Sequence, residues 1–193
     1  MRVAILLAAG SSRRFGAANK LFARYRGSTL LAYAIAVARR APAQRLIVVT
    51  GAQRTRVAGA VHRIAPQARL VHAQAHPEGM GASLRAAVHA LRAIDREAFV
   101  FLADMPWLPG EMADRLVRSG PRGAAVVRPA WRGRPGHPVL LRGRALAMLA
   151  AAGGDEGPGR HGGAHVALLP ADRRCVADVD RPVALGRAPP RLR

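Results

Sequence analysis

Leu7-Ala8-Ala9-Gly10-Ser11-Ser12-Arg13-Arg14-Phe15-Gly16-Ala17-Ala18-Asn19-Lys20 decides how the rest of the chain is read. The residues that lead into it, Val3 to Ala8, form an unbroken apolar run, the pattern of a strand buried on both faces. That strand passes directly into small residues, where backbone can approach a ligand closely. Successive exposed N–H groups in such a loop make a concave anion site. Arg13 or Arg14 offers a guanidinium for bidentate contact with phosphate, and Lys20 a compact point charge. The string contains neither GxxxxGK[ST] nor GxGxxG, so it is neither a P-loop nor a dinucleotide fingerprint.

Lys20 is the chain's only lysine among 31 basic residues. Everywhere else the chain uses arginine. An ammonium on a flexible stem reaches between phosphate oxygens where a planar guanidinium fits badly. Against 11 acidic residues the formal net charge is +20. The arginines are scattered, as at Arg24, Arg54, Arg92, Arg115, Arg142 and Arg187. Aromatics make up 4% of the chain, too few for a base-stacking platform. The charge reads as a compositional drift toward Arg and Ala. It attracts polyanionic substrates, and a nucleic-acid partner is not expected.

Half of the residues are apolar, which excludes wholesale disorder. No apolar run approaches the roughly 20 residues of a membrane span, and the opening run stops at a Gly-Ser-Ser turn, so no signal peptide or membrane segment is expected. The single cysteine, Cys175, supplies neither an internal disulfide nor a zinc cluster. These features predict a cytoplasmic protein, with one domain over residues 1–185 and a disordered tail over 186–193.

Outward from the loop, apolar strands alternate with amphipathic stretches. Strands are predicted at Leu46 to Thr50, Leu70–Val71, Phe99 to Ala103, Ala124 to Val127 and Val139 to Leu141, with late strands at Val166 to Leu169 and Cys175 to Val179. Helices are predicted over Ser28 to Arg40, with Ser28 or Thr29 near the N-cap, and over Thr55 to Ile64, Ala82 to Ile94, Pro109 to Arg118 and Arg144 to Ala152. His76 to Gly81 reads as a loop, and Gly153 to Gly163 as a mobile Gly-rich stretch. The alternation implies an α/β fold, a mostly parallel sheet with helices on both faces. Ligands in such folds sit at the carboxyl ends of the strands, where Gly10 to Lys20, Gly51 and Asp104 fall.

Four further motifs carry chemistry. Ala103-Asp104-Met105-Pro106 closes an apolar strand and points a carboxylate at the ligand crevice, where magnesium favours one or two carboxylates plus phosphate oxygens. Pro77-Glu78-Gly79-Met80-Gly81-Ala82-Ser83-Leu84 opens a helix whose N-terminus can bind phosphate or support a base pocket. Arg134-Pro135-Gly136-His137-Pro138-Val139 holds a histidine between glycine and proline ahead of a strand. Asp178-Val179-Asp180-Arg181-Pro182 places two carboxylates near the end of the chain.

The string LAAGSSRRFGAANKL resembles the signature loop of the nucleotidyltransferases that build molybdenum cofactor dinucleotides, the MobA-like NTP transferase family. The wider group includes sugar-phosphate and methylerythritol-phosphate nucleotidyltransferases. The Ala-Ala-Gly form is similar to the molybdenum cofactor cytidylyltransferases, whereas guanylyltransferases of this fold usually carry Gly-Gly. The resemblance spans residues 3–183 and implies a three-layer Rossmann-like nucleotidyltransferase fold. It implies that Ala8, Ala9 and Gly10, flanked by Leu7 and Ser11, contact base and ribose, and that Arg14 and Lys20 bind the triphosphate. GMGASL is similar to the segment GMGxSL of the cytidylyltransferases, which adds Pro77, Gly79, Gly81 and Ser83 to the nucleotide site. ADMP matches the family's metal-binding segment, with Asp104 as ligand. GHPV implies that His137 lines the second-substrate side. The final motif is similar to Asp-Ile-Asp-Thr-Pro and makes Asp178 the second metal ligand, with Asp180 next. Here the chain departs from the pattern, with Arg181 for Thr and with Val183 and Ala184 for acids. Gly154-Asp155-Glu156-Gly157 resembles a Gly-Asp-x-Gly element, followed by Pro158 where Ala is expected.

The implied reaction is magnesium-dependent transfer of CMP from CTP to the terminal phosphate of molybdenum cofactor. Lys20, Arg14 and Asp104 would be its catalytic residues, and a molybdenum hydroxylase its client. The alternatives are another phosphorylated acceptor, such as a sugar or polyol phosphate, and a non-catalytic role in cofactor delivery.

Overall fold

A computed structural model describes residues 1–12, 15, 19–151 and 165–180. Its frame is one sheet built around β1 (Arg2–Ala8). β1 pairs in parallel with β4 (Arg45–Thr50) on one side and with β6 (Glu97–Leu102) on the other. β5 (Arg69–His72) extends the β4 side in parallel. On the β6 side lie β9 (Val139–Arg142), antiparallel to both its neighbours, then β7 (Val126–Trp131) and β10 (Val166–Pro170), parallel to each other. The order is β10-β7-β9-β6-β1-β4-β5, with β8 (Arg134–Pro135) hairpinned onto β7. β2 (Arg24–Tyr25) and β3 (Ser28–Thr29) form a separate two-stranded ribbon.

The alternation of side chains along a strand explains the layers. Ala4, Leu6 and Ala8 of β1 enter a core with α1 (Leu30–Arg39), α2 (Arg54–Ile64) and α4 (Met112–Ser119). Val3, Ile5 and Leu7 enter a second core with α3 (Met80–His89) and α5 (Gly143–Ala151). An apolar residue at every β1 position from Val3 to Ala8 thus specifies two helical layers. This is the mostly parallel three-layer architecture expected from the sequence.

Several boundaries differ from expectation. The third helix starts two residues early, at Met80, because Gly79 takes φ 125° at its N-cap. It stops at His89, because the Asp95 carboxylate accepts the Arg92 N–H at 2.8 Å and folds 92–95 into a turn, leaving Ile94 exposed. The fourth starts at Met112 after a turn in which Met112 N–H donates to Pro109 O. The strand expected at Ala124 to Val127 runs on to Trp131. Within the expected 76–81 loop, His76–Glu78 is a 3-10 turn. Cys175 to Val179 is not a strand. Asp172 caps a 3-10 turn, Arg173–Val176, by accepting the Arg174 N–H at 2.7 Å, and that diverts the chain out of the sheet. Thr29, not Ser28, caps α1, accepting the Ala32 N–H at 3.2 Å. Gly153 to Gly163 and the tail 186–193 lie outside the described residues. Among the described residues no helix is long and apolar enough to cross a membrane.

The 3-10 turn is locked to the sheet at Gly136. Gly136 N–H donates to Pro129 O at 2.7 Å, and His137 N–H to Cys175 O at 2.8 Å. A Cβ on Gly136 would lie 2.7 Å from the Cys175 carbonyl carbon and still nearer its oxygen, both backbone atoms that cannot swing away. Gly136→Ala is therefore expected to cost about 2 kcal/mol. That lowers the melting temperature by roughly 6 °C for a chain of this size. Thermal unfolding followed by circular dichroism checks it, and an unchanged midpoint would contradict the steric lock.

Candidate nucleotide site

A cavity of about 450 Å3 opens at the carboxyl ends of β1 and β6. Its floor is the exit of β1, Leu7 through Ser12. One wall is Lys20 and Leu21 with Leu102, Ala103 and Asp104. The other is His76, Pro77, Gly79, Met80 and Ser83.

The charged wall is built by local capping. Asn19 is buried, and its Oδ1 accepts the Leu21 N–H at 2.9 Å and the Ser12 hydroxyl at 3.2 Å. This caps the 3-10 turn Lys20–Phe22 and ties it to the floor loop, where Ser12 sits at φ 54°. Lys20 Nζ then meets Asp104 Oδ2 at 2.5 Å, with both side chains mostly shielded from solvent. Ala103 N–H donates to Leu7 O at 3.1 Å, registering Asp104 against the end of β1.

The 173–180 segment brings further carboxylates to this corner. Val179 N–H donates to Asp104 O at 2.9 Å, and the Val179 side chain is fully buried with Tyr25, Leu30 and Trp107. Trp107 Nε1 in turn donates to the Tyr25 hydroxyl at 3.0 Å. With Val179 pointing inward, Asp178 and Asp180 on either side are exposed. Asp180 Oδ1 lies 4.0 Å from Lys20 Nζ. The Asp178 carboxyl is held above its ordinary value, first by partial loss of solvent and then by the Asp180 and Asp104 carboxylates, with Lys20 opposing. Three acids and one lysine thus share one corner.

The opposite wall is nearly uncharged. Gly51, just past β4, lets the chain pass against the floor. A Cβ there would fall within 2.8 Å of both Ala9 Cβ and His76 Cγ. Ser83 in the first turn of α3 is 4% exposed and lines the cavity.

The structure therefore gathers Leu7, Ala8, Ala9, Gly10, Ser11, Lys20, Pro77, Gly79, Ser83 and Asp104 around one cavity, with Asp178 adjoining Asp104. Gly81 lies in the first turn of α3, away from the cavity wall. Arg14 lies outside the described residues. His76 lines the cavity as well, and so do Ser12 and Met80, which fall within the quoted motifs but were not assigned to the site from the sequence. His76 has no charge partner or motif to mark it, and only the close approach of Gly51 places it there.

His137 does not line the cavity. Its Nδ1 is 3.3 Å from Val100 O, so the ring carries its proton there and donates to the carbonyl. Burial, and then the Arg128 guanidinium, push its pKa down to about 4. A second concavity, of about 330 Å3, opens at the amino ends of β4 and β5 and has no acidic residue in its lining.

A model of the MobA-like NTP transferase domain matches residues 4–168. The chain belongs to this family. As a MobA-like protein it is a nucleotidyltransferase, which implies nucleotide and small-molecule substrates. It is 32% identical over 151 residues to the bifunctional protein GlmU of Azorhizobium caulinodans, a stretch covering 75% of this chain and 33% of that protein. The chain thus spans about a third of that curated relative. Rv0371c from Mycobacterium tuberculosis is similar across 93% of both chains, at 28% identity and TM-score 0.77. The same protein has been solved as a complex with manganese, matched at 26% identity and TM-score 0.74 over 93% of this chain and 92% of that one. A nucleotidyl transferase from Methanothermobacter, 20% identical with TM-score 0.78, shares the fold over 94% of this chain and 92% of its own.

The depressed His137 pKa has a stability consequence. As pH falls below the ordinary value of 6.5, the unfolded chain takes up a proton that the folded chain refuses until about pH 4. Stability from this group is complete above pH 6.5 and is lost as pH falls through that window, by at most about 3 kcal/mol. Urea unfolding at pH 7, 6, 5 and 4 should show a steeper decline for the wild type than for His137→Gln. Parallel profiles would mean that the ring is not held neutral by burial.

Proposed function

We propose that the protein transfers CMP from CTP to the terminal phosphate of molybdenum cofactor and releases pyrophosphate. The observation that carries the reading is the Lys20–Asp104 pair, held by Asn19 at the mouth of β1 in a cavity with one charged and one uncharged wall. A nucleotide has the same two poles. Its triphosphate fits the Lys20 wall. Its base and ribose fit the floor at Ala8, Ala9 and Gly10 and the wall of His76 and Ser83. The Ala8-Ala9-Gly10 form, shared with the cytidylyltransferases, supports CTP.

The acceptor's phosphate oxygen attacks the α-phosphorus in line. The bond from that phosphorus to the bridging oxygen breaks, and pyrophosphate leaves with the bond's electron pair. No protein nucleophile takes part. Lys20 exchanges its contact with Asp104 for a phosphate oxygen and stabilises charge on the leaving group. The loop amides from Ala9 to Ser12 cradle the phosphates, and Arg14 adds a second cation.

A divalent cation fits the corner. Asp104, Asp178 and Asp180 offer only hard oxygen donors, which suit magnesium or manganese rather than softer metals. Among the described residues no three metal-ligating side chains close into a cage. An ion held by one or two carboxylates and completed by phosphate oxygens matches that arrangement. The manganese complex of Rv0371c supports the assignment. When bound, the ion neutralises phosphate charge in the transition state. Asp104, with Asp178, would hold it.

Lys20→Ala is expected to lower turnover about 100-fold or more, the usual cost of removing one preorganised charge from a transition state. Lys20→Arg should restore little, because a planar fork does not replace a point charge between phosphate oxygens. Near-normal pyrophosphate release in Lys20→Ala would remove Lys20 from the mechanism. The substrate assignment is checked separately, by pyrophosphate release with magnesium, molybdenum cofactor and each of CTP, GTP, ATP and UTP. Release with CTP alone is the expected outcome. Release with GTP instead would overturn the base assignment, and silence with all four would overturn the acceptor.

A further inference from the structure

The hairpin of β7 and β8 lies outside the cavity but at the same end of the sheet. β9 runs against both β6 and β7, so β7 runs parallel to β1, and its carboxyl end at Trp131 projects where Ala8 and Leu102 do. Trp131 pairs with Arg134, and the two turn residues, Arg132 at φ 50° and Gly133 at φ 77°, fit the tight two-residue turn of a twisted hairpin.

Two guanidiniums stand over the indole at this tip, and a third arginine is paired with Trp131 across the hairpin. Arg132 lies 4.9 Å from the centroid of the Trp131 ring, Arg173 lies 5.7 Å from it, and Arg134 sits across the strand pair. None of the three has an ion pair among the described residues. The neighbouring acid, Asp172, is committed to Arg174, which it engages through its side chain at 2.6 Å and its backbone N–H at 2.7 Å. Some arginines of the chain are neutralised by ion pairs, as Arg2 and Arg142 are by Glu97. Like charges gathered on one indole without a counter-charge make a site for an anion, and indole and guanidinium planes also accept a flat ring.

The tip is tied to the carboxylate corner by a single short segment. Arg173 touches Trp131, and six residues later Val179 is bonded to Asp104. Five residue steps from Arg173 to Asp178 span at most about 18 Å. The 3-10 turn over Arg173–Val176 shortens that further. One small molecule can therefore reach from the tip to the reacting centre.

We propose that Trp131, Arg132, Arg134 and Arg173 form the docking site for the body of the acceptor, a phosphorylated molecule carrying a planar or second anionic group. The assignment rests on the nucleotidyl-transfer reading above, and it accounts for a second substrate that the nucleotide cavity does not hold.

The chain's two tryptophans make a test possible without turnover. Trp107 is buried and bonded to Tyr25, so Trp131 is the indole that an acceptor would reach. Intrinsic fluorescence of the full chain is titrated with molybdenum cofactor, a sugar phosphate and a polyol phosphate in turn. The triple variant Arg132→Ser, Arg134→Ser, Arg173→Ser is titrated alongside. The expected result is a saturable change with one acceptor, weakened about 10-fold or more in the variant, while CTP affinity stays within about two-fold, as expected for rim charges removed from one ligand's site only. Equal acceptor affinity in the two proteins, or no saturable acceptor binding, would overturn the docking site. Because this readout needs no pyrophosphate release, a protein silent in transfer but binding an acceptor at Trp131 would separate failure of the reaction from failure of the site.

Discussion

The burial of β1 on both faces is the constraint on which the rest of the molecule depends. From Val3 to Ala8 a strand that must satisfy two cores admits no polar residue, so beyond Arg2 its next polar opportunity comes where it leaves the sheet. Ala9, Gly10 and Ser11 stand at that exit with β4 and β6 alongside, and ligand-facing backbone becomes available there. The position of the cavity follows from the layering rather than from any special feature of the loop. The charged wall then needs only a cap, Asn19, to bring Lys20 back over the strand end to Asp104.

The second requirement is that a distant part of the chain returns to this corner. The 173–180 segment does so by backbone bonds to Gly136–His137 and to Asp104, and by one side chain, Val179, set into a small aromatic pocket. An inward valine between two aspartates is a simple device. Burying the middle residue turns the flanking carboxylates out toward Lys20 and Asp104. The alternate spacing of the two acids in the sequence is thus a packing pattern as much as a chemical one, and the neighbouring Arg181 lies beyond the described residues.

Much of this was legible in the residues themselves. Where burial alone decides, as in the strands of the central sheet and the apolar sides of α1 and α2, pattern and structure agree to within a few residues. The differences arise where a side chain overrules the pattern. Asp95 ends a helix that periodicity would have carried to Ile94, and Asp172 turns what looked like a strand into a 3-10 turn. Cys175 and Val179 are apolar at a spacing that suits either element, so hydrophobicity could not choose between them. In the site, the charged residues announced themselves through scarcity, one lysine and few acids. His76 did not, because its place is set by the glycine just past β4. His137, expected on the second-substrate side, is not among the residues that line the nucleotide cavity, and its ring is bonded to the Val100 carbonyl.

The lone lysine has a practical meaning beyond catalysis. In most proteins the side-chain amines are spread over the surface, and reagents that acylate them report on nothing in particular. This chain offers them one such group, seated against Asp104 at the lip of the nucleotide cavity. Its arginine-rich surface is chemically silent to the same reagents. Apart from the α-amine of Met1, amine chemistry is therefore site-directed here without engineering, and any ligand that covers the cavity writes its occupancy into the protection of Lys20 Nζ.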